Sequence, residues 1–291
     1  MTVERVAVVG LGRMGAAMAG TLSRAGFDLV VWNRSHEAAE RVAQEVGAVV
    51  ADTPARAASA ADVVVSSLAD DAALRAVHSD GEGTVAGVGP GTVVVETSTV
   101  DPETVLRLAP EFEKHGAHLL DAPVSGSVGL VEQGALTAMV GGDASALETA
   151  RPVIDALSKA IFHMGPTGSG ATMKLAVNAL VHAINVALSE SLVLAEAGGV
   201  ERSLAYEVFA SSAAGSPFIQ YKRPAFEQPD ETPVAFSLDL VAKDLRLILG
   251  LADRLGVPMA QGAVNAAAAQ AAIEAGLGGK DMSALAVHLR S

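Results

Sequence analysis

The feature that most constrains this chain is an alternation. Short Val-rich runs recur through its first half, at residues 3–9, 28–32, 62–67, 92–96, 117–120, 135–140 and 160–164. Ala-rich stretches of helical length, such as 15–25 and 35–46, separate most of them. Strands spaced by helix-length segments need crossover connections, which predicts a mainly parallel sheet covered by helices. The alternation stops at the loop Gly165-Pro-Thr-Gly-Ser-Gly170. Beyond it no run reads as a strand. Residues 171–197 read as one long helix, and 201–211, 238–255 and 261–274 as shorter ones. The Pro- and Gly-rich stretch 215–233 reads as a loop. The predicted boundary therefore separates an α/β domain, residues 1–164, from an all-α domain, residues 165–291.

A length of 291 residues suits two domains, and with half its residues hydrophobic the chain can build real cores. Main-state disorder is excluded on that composition. The 20 Lys and Arg against 33 Asp and Glu leave a formal charge of −13, spread without an acidic tail. That charge argues against nucleic acid or an anionic membrane as a partner. No cysteine is present, which removes disulfides, thiolate zinc sites and a Cys nucleophile. The seven His show no ligand spacing with carboxylates, so no metal is expected, and no GxSxG elbow is present. The N-terminus runs directly into a strand pattern, with no signal-peptide layout. The most apolar stretch, 175–195, carries Asn178, His182, Asn185, Ser189 and Glu190, too many polar groups for a membrane span. A cytoplasmic protein is the expectation.

Gly10-Leu11-Gly12-Arg13-Met14-Gly15 follows the first strand and opens the first helix. Gly10 permits a tight turn, Gly12 lets the backbone approach a pyrophosphate, and Gly15 allows close helix–strand packing. A pyrophosphate then rests on the free N–H groups and positive end of the helix. A purely structural glycine turn is the competing reading. The second strand ends in Asn33-Arg34-Ser35, where an NAD site usually carries a carboxylate for the ribose 2′-hydroxyl. An Arg pairs with a 2′-phosphate instead, which favours NADP(H) and leaves NAD(H) possible. Arg34 as a merely solvated side chain is the alternative.

Lys174, Asn178, His182, Asn185 and Ser189 are spaced by four, four, three and four residues, one face of the long helix. A partly desolvated Lys can donate or accept a proton, and Asn178 can bind a substrate or hold the Lys. His182 and Asn185 are read as making internal hydrogen bonds. Solvated Lys174 and Asn178 remain the competing reading. Backbone N–H groups at Ser125, Gly126 and Ser127 can form a nest for a carboxylate, against the plainer reading of a Pro/Gly/Ser turn. Asp121 is read as a strand-end or capping residue. Lys243 and Asp244, on an amphipathic helix, read by sequence alone as a solvated charge pair.

The segments GLGRMGAAMAGTL, ETSTVDP, DAPVSGS, GSGATMKLAVN and KDLRLILGLA occur in this order over nearly the whole chain. Together they resemble the β-hydroxyacid dehydrogenase family, whose members include 3-hydroxyisobutyrate dehydrogenases and semialdehyde reductases. The resemblance implies an α/β N-terminal Rossmann domain joined by a long helix to an all-α C-terminal domain that helps build homodimers or homotetramers. It places the catalytic Lys on Lys174 and its neighbouring Asn on Asn178. The substrate-carboxylate loop falls on Ser125, Gly126 and Ser127, with Phe236 and Asp244 as further substrate-side positions. Leu68, Thr99 and Lys243 fall among the cofactor positions, Thr99 and Lys243 near the nicotinamide end. WNRS, PVSGS and VAFSLDLVAKDLRL are most similar in pattern to the glyoxylate/succinic semialdehyde reductases. The expected activity is NADPH-dependent reduction of a small aldehyde acid bearing a carboxylate, with Lys174 as general acid and base. A 3-hydroxyisobutyrate-type dehydrogenase is the alternative, ahead of an imine reductase or a non-catalytic dinucleotide-binding protein.

Overall fold

Five of the Val-rich runs form strands whose two faces are both covered, so they need no polar alternation. In β1 (Arg5–Val9), Val6 and Val8 pack into one core while Ala7 and Val9 pack into the other. A strand buried on both faces reads as a continuous apolar run, the signature of a parallel sheet. A computed structural model describes residues 3–290 and divides them into two compact units, which meet at Lys174/Leu175.

The first unit holds one nine-stranded sheet. Its other strands are β2 (Asp28–Trp32), β3 (Val49–Val50), β4 (Val63–Ser66), β5 (Val93–Glu96), β6 (His118–Asp121), β7 (Val124–Ser125), β8 (Leu136–Gly141) and β9 (Ser158–Gly165). The order is β3-β2-β1-β4-β5-β6-β8-β7, with β9 pairing β8. Strands β1 to β6 pair in parallel; β8 runs antiparallel to β6 and β7. The short β3 and β7 escaped the sequence pattern because two residues show no period.

Helices α1 (Arg13–Arg24), α2 (His36–Val46), α3 (Pro54–Ser59), α4 (Asp71–Ser79), α5 (Thr84–Gly87), α6 (Pro102–Glu113), α7 (Val128–Glu132) and α8 (Ala144–Leu157) connect the strands. Met18 and Leu22 of α1 and Leu147 of α8 enter the core of one sheet face. Leu74 of α4 and Phe112 of α6 enter that of the other. The chain leaves β1 toward β2 on one side, and β4 pairs on the other, so the strand order reverses between β1 and β4. Open α/β sheets bind ligands outside the carboxyl ends of the strands at such a point.

Helix α9 (Ser169–Ala197) crosses from the first unit into the second. It is long and apolar enough to cross a membrane by length and composition. In the second unit its Leu175, Leu188 and Leu192 belong to a core shared with helices α10 (Arg202–Ser211), α11 (Pro217–Glu227) and α12 (Leu238–Leu255). Helix α13 (Ala260–Ala272) continues into a π turn at Ile273–Leu277, and α14 (Ala284–His288) closes the chain. Among the described residues this unit has no strand, only the isolated bridge between Ser237 and Asp281.

Helix α11 corrects the expectation of a loop over 215–233. Pro217 occupies its first turn, where no N–H is needed, and Ser216 caps it by accepting from Ile219 N. Phe218, Ile219 and Phe226 are buried along its inner face, which outweighs the unfavourable Pro224 inside it.

Candidate active site

The glycine loop is built by contact rather than by flexibility. Gly10 has φ +89°, and a Cβ there would collide with the Ser67 carbonyl and lie 2.8 Å from Leu68 Cδ2. A Cβ on Gly15 would collide with the Gly10 carbonyl. Both positions demand glycine for packing. Gly12 differs: a Cβ there meets nothing within 4 Å, it is exposed, and no side chain caps the N–H groups of α1 that follow. Helix-end donors behind a bare, open glycine fit a pyrophosphate. The expected result for Gly12→Val is therefore selective. Its unfolding free energy stays within about 0.5 kcal/mol of the parent. Its affinity for the dinucleotide falls about tenfold or more, because the side chain occupies the pyrophosphate's approach. Calorimetric titration beside thermal unfolding reads both.

Leu11 is buried and Met14 half-buried, whereas Arg13 and Arg34 are exposed. Asn33 is committed to the loop itself. Its Oδ1 accepts from Leu11 N at 3.0 Å, and its Nδ2 donates to the Ser35 carbonyl at 3.2 Å. Ser35 in turn caps α2 by accepting from Ala38 N. The end of β2 is thereby tied to the glycine loop, and the Gly10 N–H donates to the Trp32 carbonyl at 2.9 Å. Leu68 and Thr99 follow the ends of β4 and β5, the strands beyond the switch point.

The remaining candidates of the first unit lie on and after β6 and β7. Ser125 ends β7, opposite Thr137. Gly126 has φ +147°, and a Cβ on it would lie 2.6 Å from Leu136 Cδ2. Ser127 stands at the start of α7 with its hydroxyl uninvolved in capping. Asp121 caps the long helix. Its Oδ1 accepts from Gly168 N and its Oδ2 from Ala171 N, both at 2.8 Å. Burial pushes this carboxyl up from its ordinary value, while the amide hydrogen bonds oppose the rise. The cap fixes the first turn of α9, and Lys174, half-buried, stands one turn beyond Ala171.

In the second unit, Asn178, His182, Lys243 and Asp244 converge, with Phe236 beside them. Asp244 is wholly buried, which corrects its reading as half of a solvated pair. It accepts from Asn178 Nδ2 at 2.6 Å, and Lys243 Nζ lies 3.2 Å from its Oδ1. A buried carboxylate needs such partners. A signal for this existed in the sequence. Asp244 follows Val241 by three residues and precedes Ile248 by four, placing it on the inward stripe of α12.

His182 is corrected as well. Neither ring nitrogen makes a hydrogen bond; Nε2 approaches Asp244 Oδ2 at 3.5 Å, and the ring lies 6.0 Å from that of Phe236. Asn185 does make the expected internal bond, donating to the Met282 carbonyl at 3.1 Å. A second buried pair escaped sequence reasoning: Lys222 Nζ on α11 donates to Asp281 Oδ1 and Oδ2 at 2.7 and 2.8 Å. Residues 59 apart in the chain leave no local pattern.

A glycine loop of this build at the switch point of a doubly wound sheet, followed by a helical unit, defines a dinucleotide-binding class of protein. Comparison with known proteins agrees. Residues 5–165 match the model of the NAD binding domain of 6-phosphogluconate dehydrogenase. Residues 168–289 match that of the NAD-binding domain of NADP-dependent 3-hydroxyisobutyrate dehydrogenase. The chain is 34% identical to glyoxylate/succinic semialdehyde reductase 1 of Arabidopsis thaliana, over 96% of each chain. It is 35% identical to an NAD-dependent L-serine dehydrogenase of Pseudomonas aeruginosa, over 84% of each. The crystal structure of a 3-hydroxyisobutyrate dehydrogenase from Salmonella typhimurium superposes with a TM-score of 0.90 at 28% identity, covering 98% of this chain and 99% of that one. The chain belongs to the β-hydroxyacid dehydrogenase family. It is an NAD(P)-dependent oxidoreductase acting on hydroxyl groups.

Proposed function

We propose that this chain reduces a small aldehyde acid to the corresponding hydroxy acid with NADPH, and catalyses the reverse oxidation in principle. The observation that carries the reading is the arrangement on α9. Lys174 follows a turn pinned by Asp121, and Asn178, one turn further, is bound to the buried Asp244. The likeness to glyoxylate/succinic semialdehyde reductase over nearly the whole chain supports the substrate class.

The substrate carboxylate docks on the loop of Ser125, Gly126 and Ser127. The nicotinamide, when bound, supplies a hydride for the carbonyl carbon. Lys174 Nζ gives a proton to the alkoxide oxygen as negative charge develops there, and in the oxidative direction it takes the hydroxyl proton. Asn178 orients the reacting oxygen. Its amide nitrogen is held by Asp244, so the amide presents a fixed face. The family resemblance assigns Phe236 to the substrate side, and Lys243 and Thr99 to the nicotinamide end.

The test is a panel. NADPH oxidation is followed with glyoxylate, succinic semialdehyde, tartronate semialdehyde and methylmalonate semialdehyde, with NADH in parallel. Turnover on one or two of these aldehyde acids supports the reading. The L-serine dehydrogenase relative favours one competitor, the oxidation of a 3-hydroxy acid such as L-serine or 3-hydroxyisobutyrate. Turnover there alone, with none on the aldehydes, replaces the first reading by the second.

Cofactor preference rests on Arg34, exposed beyond the end of β2 with no carboxylate beside it at Asn33 or Ser35. A charge-assisted contact to a phosphate is worth about 1.5–3 kcal/mol. Arg34→Asp is therefore expected to raise the KM for NADPH by about 10- to 100-fold and to lower that for NADH. Unchanged KM values for both would remove Arg34 from the site.

A further inference from the structure

Beneath the ends of β4 and β5 lies a polar network that the reaction does not use. The carboxylate of Glu96, the last residue of β5, is 1% exposed. It accepts from Ser66 Oγ at 2.5 Å and from Ser98 N at 2.7 Å, and lies 3.0 Å from His78 Nε2. His78, on α4 and wholly buried, reaches Thr84 Oγ1 with its other ring nitrogen at 2.5 Å. The connection then runs outward. Ser98 Oγ accepts from Leu68 N at 2.7 Å, and Ser67 and Leu68 are the groups packed against Gly10.

Stability alone does not account for a buried carboxylate and imidazole here. An apolar set of the same volume often packs as well or better, because both groups must be desolvated. A fully satisfied buried network instead selects one geometry. The geometry selected is that of the two loops beyond the switch point. In a doubly wound sheet, β1 to β3 belong to the half that takes the adenosine end of a dinucleotide, and the strands beyond belong to the other half.

We propose that Glu96, braced by His78, is a positioning residue for the nicotinamide half of the cofactor site. It touches no ligand. It sets the heights of Ser98–Thr99 and Leu68 against the glycine loop, so that these backbones meet the nicotinamide riboside already in place. This rests on the dinucleotide reading of the glycine loop.

Three variants test it: Glu96→Ala, Glu96→Gln and Ser98→Ala. Each is titrated calorimetrically with NADPH, with NADH, and with ADP or its 2′-phosphorylated form as a probe of the adenosine half. Thermal unfolding is recorded beside each titration. Glu96→Ala leaves Ser98 N and His78 without an acceptor, and dinucleotide affinity falls about tenfold, while the adenosine fragment binds within about twofold of the parent. Glu96→Gln keeps an oxygen for Ser98 N and, with the imidazole tautomer reversed, a donor for His78, so it restores affinity to within about threefold of the parent. Ser98→Ala cuts only the link to Leu68 at a small site, and lowers dinucleotide affinity several-fold without moving the fragment. Should Glu96→Ala fail to fold, Ser98→Ala decides.

Parent-like dinucleotide affinity in folded Glu96→Ala or in Ser98→Ala overturns the proposal. So does a parallel loss for dinucleotide and fragment, which marks a general disturbance of the unit. A parent that binds neither NADPH nor NADH overturns the cofactor reading itself, and the proposal with it.

Discussion

Replacing Lys174 by Ala is expected to lower kcat by about 10²–10⁴-fold, the usual worth of a positioned general acid, while dinucleotide affinity stays within about twofold of the parent. The split follows from where the residue stands. Lys174 lies one turn past the Asp121 cap on α9, and the glycine loop is assembled from β1, α1, β2 and the segment after β4. On the proposed mechanism, removing the amine leaves that loop intact and takes away the proton that the developing alkoxide needs. Single-turnover measurement of NADPH oxidation with the best aldehyde acid reads the chemical step, and calorimetry reads the affinity. Near-parent turnover in Lys174→Ala would exclude the residue as general acid. Lys174→Arg keeps the charge but holds its proton far more tightly, so it is expected to recover little.

Asp281→Ala is expected to destabilise the second unit by about 3–5 kcal/mol, the cost of removing one partner of a buried ion pair. Lys222 is 3% exposed and would lose the Asp281 carboxylate, and three amides would lose their acceptor: Ala235 N, Phe236 N and Ser283 N, at 2.9, 3.1 and 3.1 Å. Two of those amides carry the Phe236 segment, so, with Phe236 on the substrate side as proposed, a raised KM for substrate is expected beside the loss. Lys222→Met should cost less, since the three amides continue to satisfy the carboxylate. The pH dependence has a definite sign. Burial alone would raise the Asp281 carboxyl, but Lys222 and the amides outweigh it and hold the group below its ordinary value. A carboxyl depressed by folding contributes its stability above the unfolded pKa and loses it as pH falls through the folded one. The stability gap between the parent and Asp281→Ala is thus expected to be flat from neutral pH to about pH 4 and to shrink below that. Urea titrations across this range check it. A gap that widens on acidification would contradict the pairing.

The legible parts of this protein were those fixed by neighbours in the chain. Val6 to Val9, each apolar in turn, announce a strand buried on both faces, and Gly10, Gly12 and Gly15 announce the turn that follows. Asp121 could be read as a cap from its place after a strand, and it caps α9. The four-residue spacing of Lys174 and Asn178 places them on one helix face without any tertiary knowledge.

The misread parts were those where a local rule met a distant partner. Pro217 and Pro224 suggested a loop over 215–233, yet burying Phe218, Ile219 and Phe226 makes a helix there. Lys243 and Asp244 looked like any surface pair, because adjacency in sequence does not say which of the two is turned inward. His78 and Glu96 are 18 residues apart on a helix and a strand, and Lys222 and Asp281 are 59 apart. No periodicity joins them.

By itself, then, the sequence determined the alternation of the longer strands and helices in the first unit, the glycine turn and its dinucleotide chemistry, and the helix face that carries Lys174 and Asn178. These are consequences of backbone sterics and of burial period, which act within a few residues. Only the tertiary structure decided which charges are buried. It enclosed Asp244, Glu96 and Asp281 and left Arg34 and Arg13 in water. The reason is desolvation: a carboxylate can be enclosed only where donors from distant elements converge on it, and that convergence is a property of the packed chain.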